Sequence, residues 1–277
     1  QMILNRDHLL SFEEDGVQFT SALSGGINAG QFSNLDLNLD GIMDIVIFDK
    51  SGNKLSPFIN DNGTFTYSPK YRDKFPDMHD WAILKDYNGD EKNDIFTYSS
   101  SGMAVYLNTS NTELEFTQIT PLVLSDYGGG QNFNLYMSTA SVPAIADIDY
   151  DGDLDVLSFG NLSGTVEYHK NLSKELYGTC DSLVFEFSER CWGLFYDAPN
   201  SIILNCPNCM CAKTDNSIKE KDGTPTLLAI DIDNDNDMDL ILGDGGGKNL
   251  NLLINGGDNQ NAFITSVDTI FPQNHNN

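Results

Sequence analysis

The chain contains little positive charge. Its 277 residues include 15 Lys and Arg against 41 Asp and Glu, which gives a formal net charge of −26. Proteins that bind nucleic acid carry a basic stripe or patch, and docking to anionic lipids needs clustered Lys or Arg. The composition therefore predicts no nucleic-acid partner and no electrostatic attachment to anionic membranes.

Long hydrophobic runs are also missing. No stretch approaches the roughly 20 apolar residues that a membrane-spanning helix needs, so we expect no direct membrane insertion. Hydrophobic residues still make up 40% of the chain, which is enough for a core. The sequence begins at Gln1, which we interpret as a mature form after signal cleavage. We therefore predict a secreted or cell-surface, extracytoplasmic protein.

Residues suited to catalysis are scarce. Only four histidines occur, and we expect His169, which follows Tyr168 in a predicted strand, to face solvent. There is no G-x-S-x-G nucleophile motif. Residues 243–248 are too short for a phosphate-binding loop, and Asn249 stands where Ser or Thr is needed. Paired carboxylates for glycoside chemistry could still arise among so many acidic residues, but the pattern favours a protein that is not an enzyme.

Cysteine is confined to one lengthened segment, an insertion over residues 180–211. The five cysteines are Cys180, Cys191, Cys206, Cys209 and Cys211. A redox site would need a βαβ context, and a zinc site would need a fourth ligand, yet no second Cys-x-x-Cys pair occurs. Because exported proteins favour disulfides, we predict a Cys180–Cys191 bridge, one further pair among the other three, and one thiol left over. Zinc is the alternative.

The acidic residues, by contrast, are patterned. Four loops share the pattern D-x-(N/D)-x-D-x-x-x-D, and each runs directly into an apolar β-type segment. Side-chain oxygens at positions one, three and five, a backbone carbonyl at seven and a carboxylate at nine can surround one hard cation. The pattern predicts up to four Ca²⁺ sites. Their predicted ligands are Asp36, Asn38, Asp40, Ile42 and Asp44; Asp86, Asn88, Asp90, Lys92 and Asp94; Asp147, Asp149, Asp151, Asp153 and Asp155; and Asp231, Asp233, Asp235, Asp237 and Asp239.

A plain polar turn is the alternative explanation for any single loop, because Asp and Asn are favoured in turns. Four matches in one register favour calcium, since several carboxylates within nine positions repel one another unless a cation is bound. An EF-hand is excluded because position twelve carries no carboxylate. The flanking segments are rich in β-branched and aromatic residues, so they are predicted strands.

The segments around each loop form a repeating unit. A short strand precedes the loop, and the strand after it leads through a polar turn into a third strand that ends on Asn. A fourth strand fits the variable connection, at Thr64–Ser68, Leu114–Ile119, Leu183–Glu189 and Ala262–Val267. The repeats fall around residues 30–68, 80–119, 141–189 and 225–267. This unit predicts an all-β fold, a β-propeller of four-stranded antiparallel blades.

The run Asp36–Asn60 resembles an FG-GAP or VCBS repeat, the unit also found in the head of integrin α subunits. Asp147–Asn171 and Asp231–Asn255 match it almost as well. In the second copy Glu91 replaces the usual Gly at position six, so we expect the weakest calcium binding there. The resemblance implies a calcium-stabilised propeller, normally of about seven blades. Four loops fit four or five blades, so residues 1–277 are expected to form one small propeller or the N-terminal part of a larger one.

The resemblance extends to large secreted proteins of Bacteroidetes-type bacteria, which are commonly cargo of the type IX secretion system. It implies a non-enzymatic adhesion module that binds a protein or glycan at the cell surface, or a component bound to the outer-membrane secretion machinery. Tyr127 and Tyr136 are candidates for the binding face, whereas Trp81 is expected in the core. The alternative is a polysaccharide lyase or hydrolase on a propeller scaffold.

Overall fold

A computed structural model of the protein describes residues 12–19, 21–160, 164–198, 201–206, 225–243 and 249–272. Their secondary structure is almost entirely β. The strands are β1 (Phe12–Glu14), β2 (Val17–Phe19), β3 (Gly30–Leu35), β4 (Asp44–Asp49), β5 (Lys54–Asp61), β6 (Thr64–Tyr67), β7 (Ala82–Lys85), β8 (Asp94–Ser99), β9 (Gly102–Asn108), β10 (Phe116–Thr120), β11 (Leu124–Asp126), β12 (Asn132–Asn134), β13 (Ala144–Ala146), β14 (Asp155–Phe159), β15 (Val166–Asn171), β16 (Phe185–Glu189), β17 (Tyr196–Ala198), β18 (Ser201–Ile203), β19 (Thr226–Ile230), β20 (Asp239–Gly243), β21 (Leu250–Asn255) and β22 (Ile264–Phe271).

Helical structure among these residues is limited to short pieces. They are the α-helix α1 (Ser173–Tyr177) and the 3-10 turns Lys50–Gly52, Pro69–Lys74 and Trp192–Leu194. In the part of the chain that is described, no helix has the length and apolar character needed to cross a membrane.

Each acidic loop joins the first two strands of one antiparallel sheet. Three sheets have the strand orders β3-β4-β5-β6, β10-β9-β8-β7 and β19-β20-β21-β22, and the third repeat contributes β13-β14-β15-β16. All four predicted fourth strands are present, as β6, β10, β16 and β22. The predicted fold class is confirmed, because an all-β chain of antiparallel sheets with sequential strand order is made of propeller blades.

The third sheet is larger than expected, with six strands. The hairpin β11–β12 is added at its edge, and β11 pairs in parallel with β16. The turn of this hairpin is a glycine run in which all three residues have positive φ, a conformation that glycine adopts without strain. The Asp126 carboxylate holds the turn by accepting the Gly128 N–H at 2.8 Å and the Gly130 N–H at 3.0 Å.

The chain divides into two compact units. The first comprises residues 1–86, 91–97 and 105–119, and the second comprises residues 87–90, 98–104 and 120–277. Much of the core of the first unit comes from alternate strand residues, which point to the same face of a sheet, and Leu37, Met78 and Leu114 add to it from the connections. Its buried members are Leu35, Leu37, Val46, Phe48, Leu55, Met78, Ala82, Leu84, Ile95 and Leu114. Trp81 is fully buried, as predicted.

The core of the second unit joins the third and fourth sheets. Leu157 and Val166 from one sheet pack in a cluster with Leu240 and Leu253 from the other, and Trp192 completes it. Backbone hydrogen bonds also connect the two sheets, since the Leu227 N–H donates to the Val142 carbonyl at 2.9 Å. The acidic loops of these two sheets are therefore held on a common, well-packed support.

The structure changes the cysteine assignment. Cys180 is a free cysteine, so the predicted Cys180–Cys191 bridge is wrong. The strand β16, of five residues, lies between the two positions. An extended strand of that length separates its ends by roughly 16 Å, whereas a disulfide needs Cα atoms within roughly 7 Å. Cys209 and Cys211 lie outside the described residues, so the predicted pair among Cys206, Cys209 and Cys211 stays a prediction.

Candidate metal centres

The ninth residue of every loop is an aspartate with no exposed surface: Asp44, Asp94, Asp155 and Asp239. One carboxylate oxygen accepts the N–H of the second loop residue, at 2.9 Å from Leu37, 3.0 Å from Ile148 and 3.0 Å from Ile232. The other oxygen accepts the N–H of the asparagine that ends the third strand, at 2.7 to 2.8 Å, from Asn60, Asn108, Asn171 and Asn255. Each of these carboxylates therefore ties its loop to the third strand of its sheet.

The asparagine that ends the third strand also holds the loop, through hydrogen bonds of its side chain. The sequence alone identified these asparagines only as the ends of strands. In the fourth repeat the Asn255 side chain accepts the Phe263 N–H at 2.7 Å and donates to the Met238 carbonyl at 3.3 Å. Asn60 and Asn108 make equivalent bonds to the eighth residue of their loops. The signal available in the sequence is spacing, since the asparagine stands 16 residues after the ninth-position aspartate in three of the repeats.

The backbone of each loop folds around the carboxylate of its first residue. Its oxygen accepts the N–H of the sixth residue, at 2.8 Å from Gly41, 2.8 Å from Glu91, 3.1 Å from Gly152 and 3.1 Å from Asn236. The sixth residue has a positive φ in every loop, including 67° at Glu91. A side chain with a Cβ is disfavoured in that region by roughly 1–2 kcal/mol. The second loop carries this strain at Glu91 in position six, whereas the first and third loops carry it at Leu39 and Tyr150 in position four.

The structure brings the predicted ligands together in the third and fourth loops. Ligand atoms of Asp147, Asp149 and Asp155 lie within 4.8 Å of one another, and so do those of Asp231, Asp233 and Asp239. These are positions one, three and nine. In the first and second loops position three is an asparagine, and among the described residues their carboxylates do not form such a group.

Position seven differs among the loops. In the third and fourth loops it is an aspartate with only 2% of its surface exposed, Asp153 or Asp237. In the first loop Ile42 is 41% exposed, and in the second the Lys92 ammonium donates to the Ser110 carbonyl at 3.0 Å. The burial of two seventh-position carboxylates was not predicted, because only their backbone carbonyls were expected to serve as ligands.

Buried carboxylate oxygens without a hydrogen-bond partner mark the same two loops. They are Asp147 Oδ1, Asp149 Oδ1, Asp151 Oδ2, Asp153 Oδ1 and Asp237 Oδ1. Burial, together with neighbouring negative charge, raises the pKa of Asp155 to about 8 and the pKa of Asp237 to about 6. An unpaired buried carboxylate is unfavourable, and a bound cation would remove both the desolvation and the repulsion. The oxygen-only ligand set fits a hard divalent ion.

His169 does not face solvent, contrary to the prediction. Its side chain is fully buried, Nδ1 lies 2.9 Å from Ser125 Oγ, and the ring packs edge-on against Tyr127 and Phe187. Ser125 belongs to the unpredicted hairpin β11–β12, which covers this face of β15. Burial lowers the pKa of His169 to about 4.

We expect acidification to destabilise the fold through His169. The folded pKa of about 4 lies below the unfolded value of 6.5, so the unfolded chain takes up the proton first. The stabilisation from neutral His169 is complete above the unfolded pKa and is lost as the pH falls toward the folded pKa. In urea unfolding, lowering the pH from 7 to 5 should reduce the stability of the wild type by about 2 kcal/mol relative to His169→Gln, which has the same loop carboxylates. An equal loss in both proteins would contradict this assignment.

An aromatic group on the third sheet includes one of the tyrosines predicted for a binding face. Tyr127 stacks on Phe187 with ring centroids 4.9 Å apart, and the Arg190 guanidinium lies 5.7 Å from the Phe187 centroid. Phe133 lies beside Tyr127 and is 56% exposed. Tyr136 is half-buried. The group presents aromatic surface on a sheet, and its role as a binding face stays a prediction.

Comparison with known proteins supports the repeat type. Residues 86–158 match the profile of the FG-GAP-like repeat family, and this segment runs from the first ligand of the second loop through most of strand β14. No curated protein matches the chain. One similar solved structure is that of an Agrocybe aegerita lectin, described as specifically recognising non-reducing terminal N-acetylglucosamine. It has 15% identity and a TM-score of 0.40, and the match covers 87% of this chain and 52% of that chain, so this chain spans about half its length.

Proposed function

We propose that the protein is a calcium-stabilised, non-enzymatic binding module that acts outside the cytosol. The observation that carries the proposal is the set of buried, unpartnered carboxylate oxygens on Asp147, Asp149 and Asp153. Calcium accepts six to eight oxygen ligands in flexible geometry, including carboxylates, side-chain amides and backbone carbonyls, whereas magnesium retains several waters. The loops offer the ligands that calcium prefers. Extracellular calcium sites bind with dissociation constants of about 0.1–1 mM, which suits an exported protein.

We further propose that the bound partner is a protein or glycan at the cell surface. The aromatic group of Tyr127, Phe133 and Phe187 supports this, because exposed rings on a rigid sheet supply contact area at little entropic cost. Arg190 adds a charged donor beside the rings. Under the family resemblance the protein is a cargo of type IX secretion or a component bound to that machinery.

We propose that the protein is not an enzyme, because the residues that could serve in catalysis are already engaged in hydrogen bonds within the fold. The ninth-position carboxylates are committed to backbone N–H groups, and the His169 ring is enclosed and bonded to Ser125. Groups held in this way have little freedom to transfer protons to a substrate. The enzyme alternative has no specific observation in its favour.

Isothermal titration with calcium tests the metal proposal directly. We expect saturable binding with a stoichiometry between two and four, and much weaker binding of magnesium, because the loops supply oxygen ligands without preset octahedral geometry. Asp233→Asn should remove one site from the titration. Absence of calcium binding, or equal binding of both ions, would contradict the proposal.

Affinity capture tests the binding role. Calcium-loaded, tagged protein should retain a surface protein or polysaccharide from envelopes of the source cells, and Phe133→Ala should retain much less. Phe133 is 56% exposed, so this variant is expected to keep the fold, and its circular dichroism spectrum provides the control. Retained polysaccharide that shortens with time would contradict the non-enzymatic assignment.

A further inference from the structure

The third loop has a second acidic group beside the first. Ligand atoms of Asp149, Asp151 and Glu175 lie within 4.8 Å of one another. The Lys170 ammonium lies among them, in contact with Asp149 Oδ2 and Glu175 Oε1 and 3.5 Å from Asp151 Oδ2. Its side chain is only 18% exposed. The second acidic group thus already holds a positive charge that the chain itself supplies.

This arrangement belongs to one repeat. Lys170 directly precedes the strand-ending Asn171, and the corresponding positions in the other repeats are Ile59, Leu107 and Ile254. Glu175 lies on α1, which is the only α-helix among the described residues and follows the third strand of this repeat alone. Among the described residues, therefore, only the third repeat places a lysine at this position beside an acidic residue of a following helix.

Asp149 connects the lysine to the candidate calcium site. Its Oδ2 contacts Lys170, whereas its Oδ1 has no hydrogen-bond partner, and Asp149 also belongs to the group with Asp147 and Asp155. A positive charge so close to a ligand carboxylate reduces the repulsion among the loop carboxylates when no metal is bound. The same charge opposes the approach of a divalent cation.

We propose that Lys170 is a built-in counter-cation that keeps the third loop folded without calcium and weakens calcium binding at that loop. The inference rests on the proposed calcium function. It assigns different roles to the third and fourth loops. The fourth loop, with Ile254 at the corresponding position, depends on calcium for its order. The third loop stays ordered when calcium is withdrawn, and it fills after the fourth loop when calcium returns.

Hydrogen exchange measured by mass spectrometry tests this within one molecule. Peptides covering residues 147–155 and 231–239 are compared in chelator and in 10 mM calcium. In calcium-free wild type we expect the third-loop amides to exchange about tenfold more slowly than those of the fourth loop, because Lys170 takes the place of the metal charge. Lys170→Met should bring the third loop to the fourth-loop rate, and calcium should restore protection to both.

Two variants control the experiment. Lys170→Arg keeps the charge and should behave like wild type. Lys174→Met removes a neighbouring lysine whose ammonium makes no contact with the three carboxylates, although its backbone N–H donates to Asp153 Oδ2 at 2.9 Å, and it should leave the third-loop rate within about twofold. By titration, Lys170→Met should raise the calcium affinity of one site, that of the third loop, about tenfold.

The outcomes separate the two proposals. If calcium protects the fourth loop but Lys170→Met exchanges and binds calcium like wild type, the counter-cation inference is overturned and the calcium function stands. If calcium protects neither loop in any variant, the proposed calcium function itself fails and the inference fails with it. If Lys170→Met exchanges faster than wild type in both peptides and calcium does not reverse the change, Lys170 supports the fold in general. That result would also overturn the inference.

Discussion

Chelating calcium is expected to lower the melting temperature of the protein by roughly 12 to 44 °C. A site with a dissociation constant of about 0.1–1 mM contributes about 1.4–2.7 kcal/mol in 10 mM calcium. Four such sites contribute about 6–11 kcal/mol, and each kcal/mol shifts the melting temperature of a domain this large by about 2–4 °C. Differential scanning calorimetry in calcium and in chelator measures the difference.

The effect is large because, without metal, the loops hold buried carboxylates close to one another. Burial and neighbouring carboxylates raise the pKa of Asp151 to about 6 and of Asp155 to about 8, so their ionised forms are disfavoured in the metal-free fold. Stability from these groups is present at low pH and is lost as the pH rises through the folded pKa. The calcium effect should therefore be larger at pH 8 than at pH 5. Superimposable melts in calcium and chelator at pH 8 would rule out a stabilising metal.

The parts of the fold that could be predicted from sequence are those with local causes. The acidic loops could be predicted from the regular spacing of their carboxylates. The strands could be predicted from runs of β-branched and aromatic residues between turns. The strand β19, Thr226–Ile230, is the short strand predicted to precede the fourth loop. The convergence of Asp231, Asp233 and Asp239 could be expected for the same reason, since nine consecutive residues that form one loop have few ways to arrange their oxygens.

The features that escaped prediction depend on neighbours distant in sequence. His169 follows strand alternation, but the hairpin β11–β12, which lies 44 residues earlier at Ser125, buries the face it points to. Lys170 would ordinarily be assigned to solvent, yet Asp149 and Glu175 enclose its ammonium. Cys180 was paired with the next cysteine by proximity in sequence, which strand β16 makes unfavourable. Periodicity predicts which residues share a face and does not identify what covers that face.

Within one loop, the ninth-position aspartate should matter with or without calcium. Asp239 is fully buried and accepts the N–H groups of Ile232 at 3.0 Å and Asn255 at 2.8 Å. Asp239→Ala leaves the buried Asn255 N–H and the partly buried Ile232 N–H without this acceptor, so we expect a loss of about 3–5 kcal/mol in the free energy of unfolding even in chelator. Urea unfolding followed by the fluorescence of Trp192, which lies in the same core cluster as Leu240, reports on this unit.

Asp233 provides the matched comparison, because it lies in the same loop and is exposed. Asp233→Asn removes a charge that other carboxylates repel when no metal is present, so in chelator the free energy of unfolding should stay within about 0.5 kcal/mol of wild type. In 10 mM calcium the variant should lose about 1.4–2.7 kcal/mol, the contribution of one site. Two carboxylates of one loop would then have separable roles, Asp239 in the fold as well as the metal site and Asp233 in the metal site alone. A calcium-independent loss at Asp233, or a loss at Asp239 that appears only with calcium, would contradict that division.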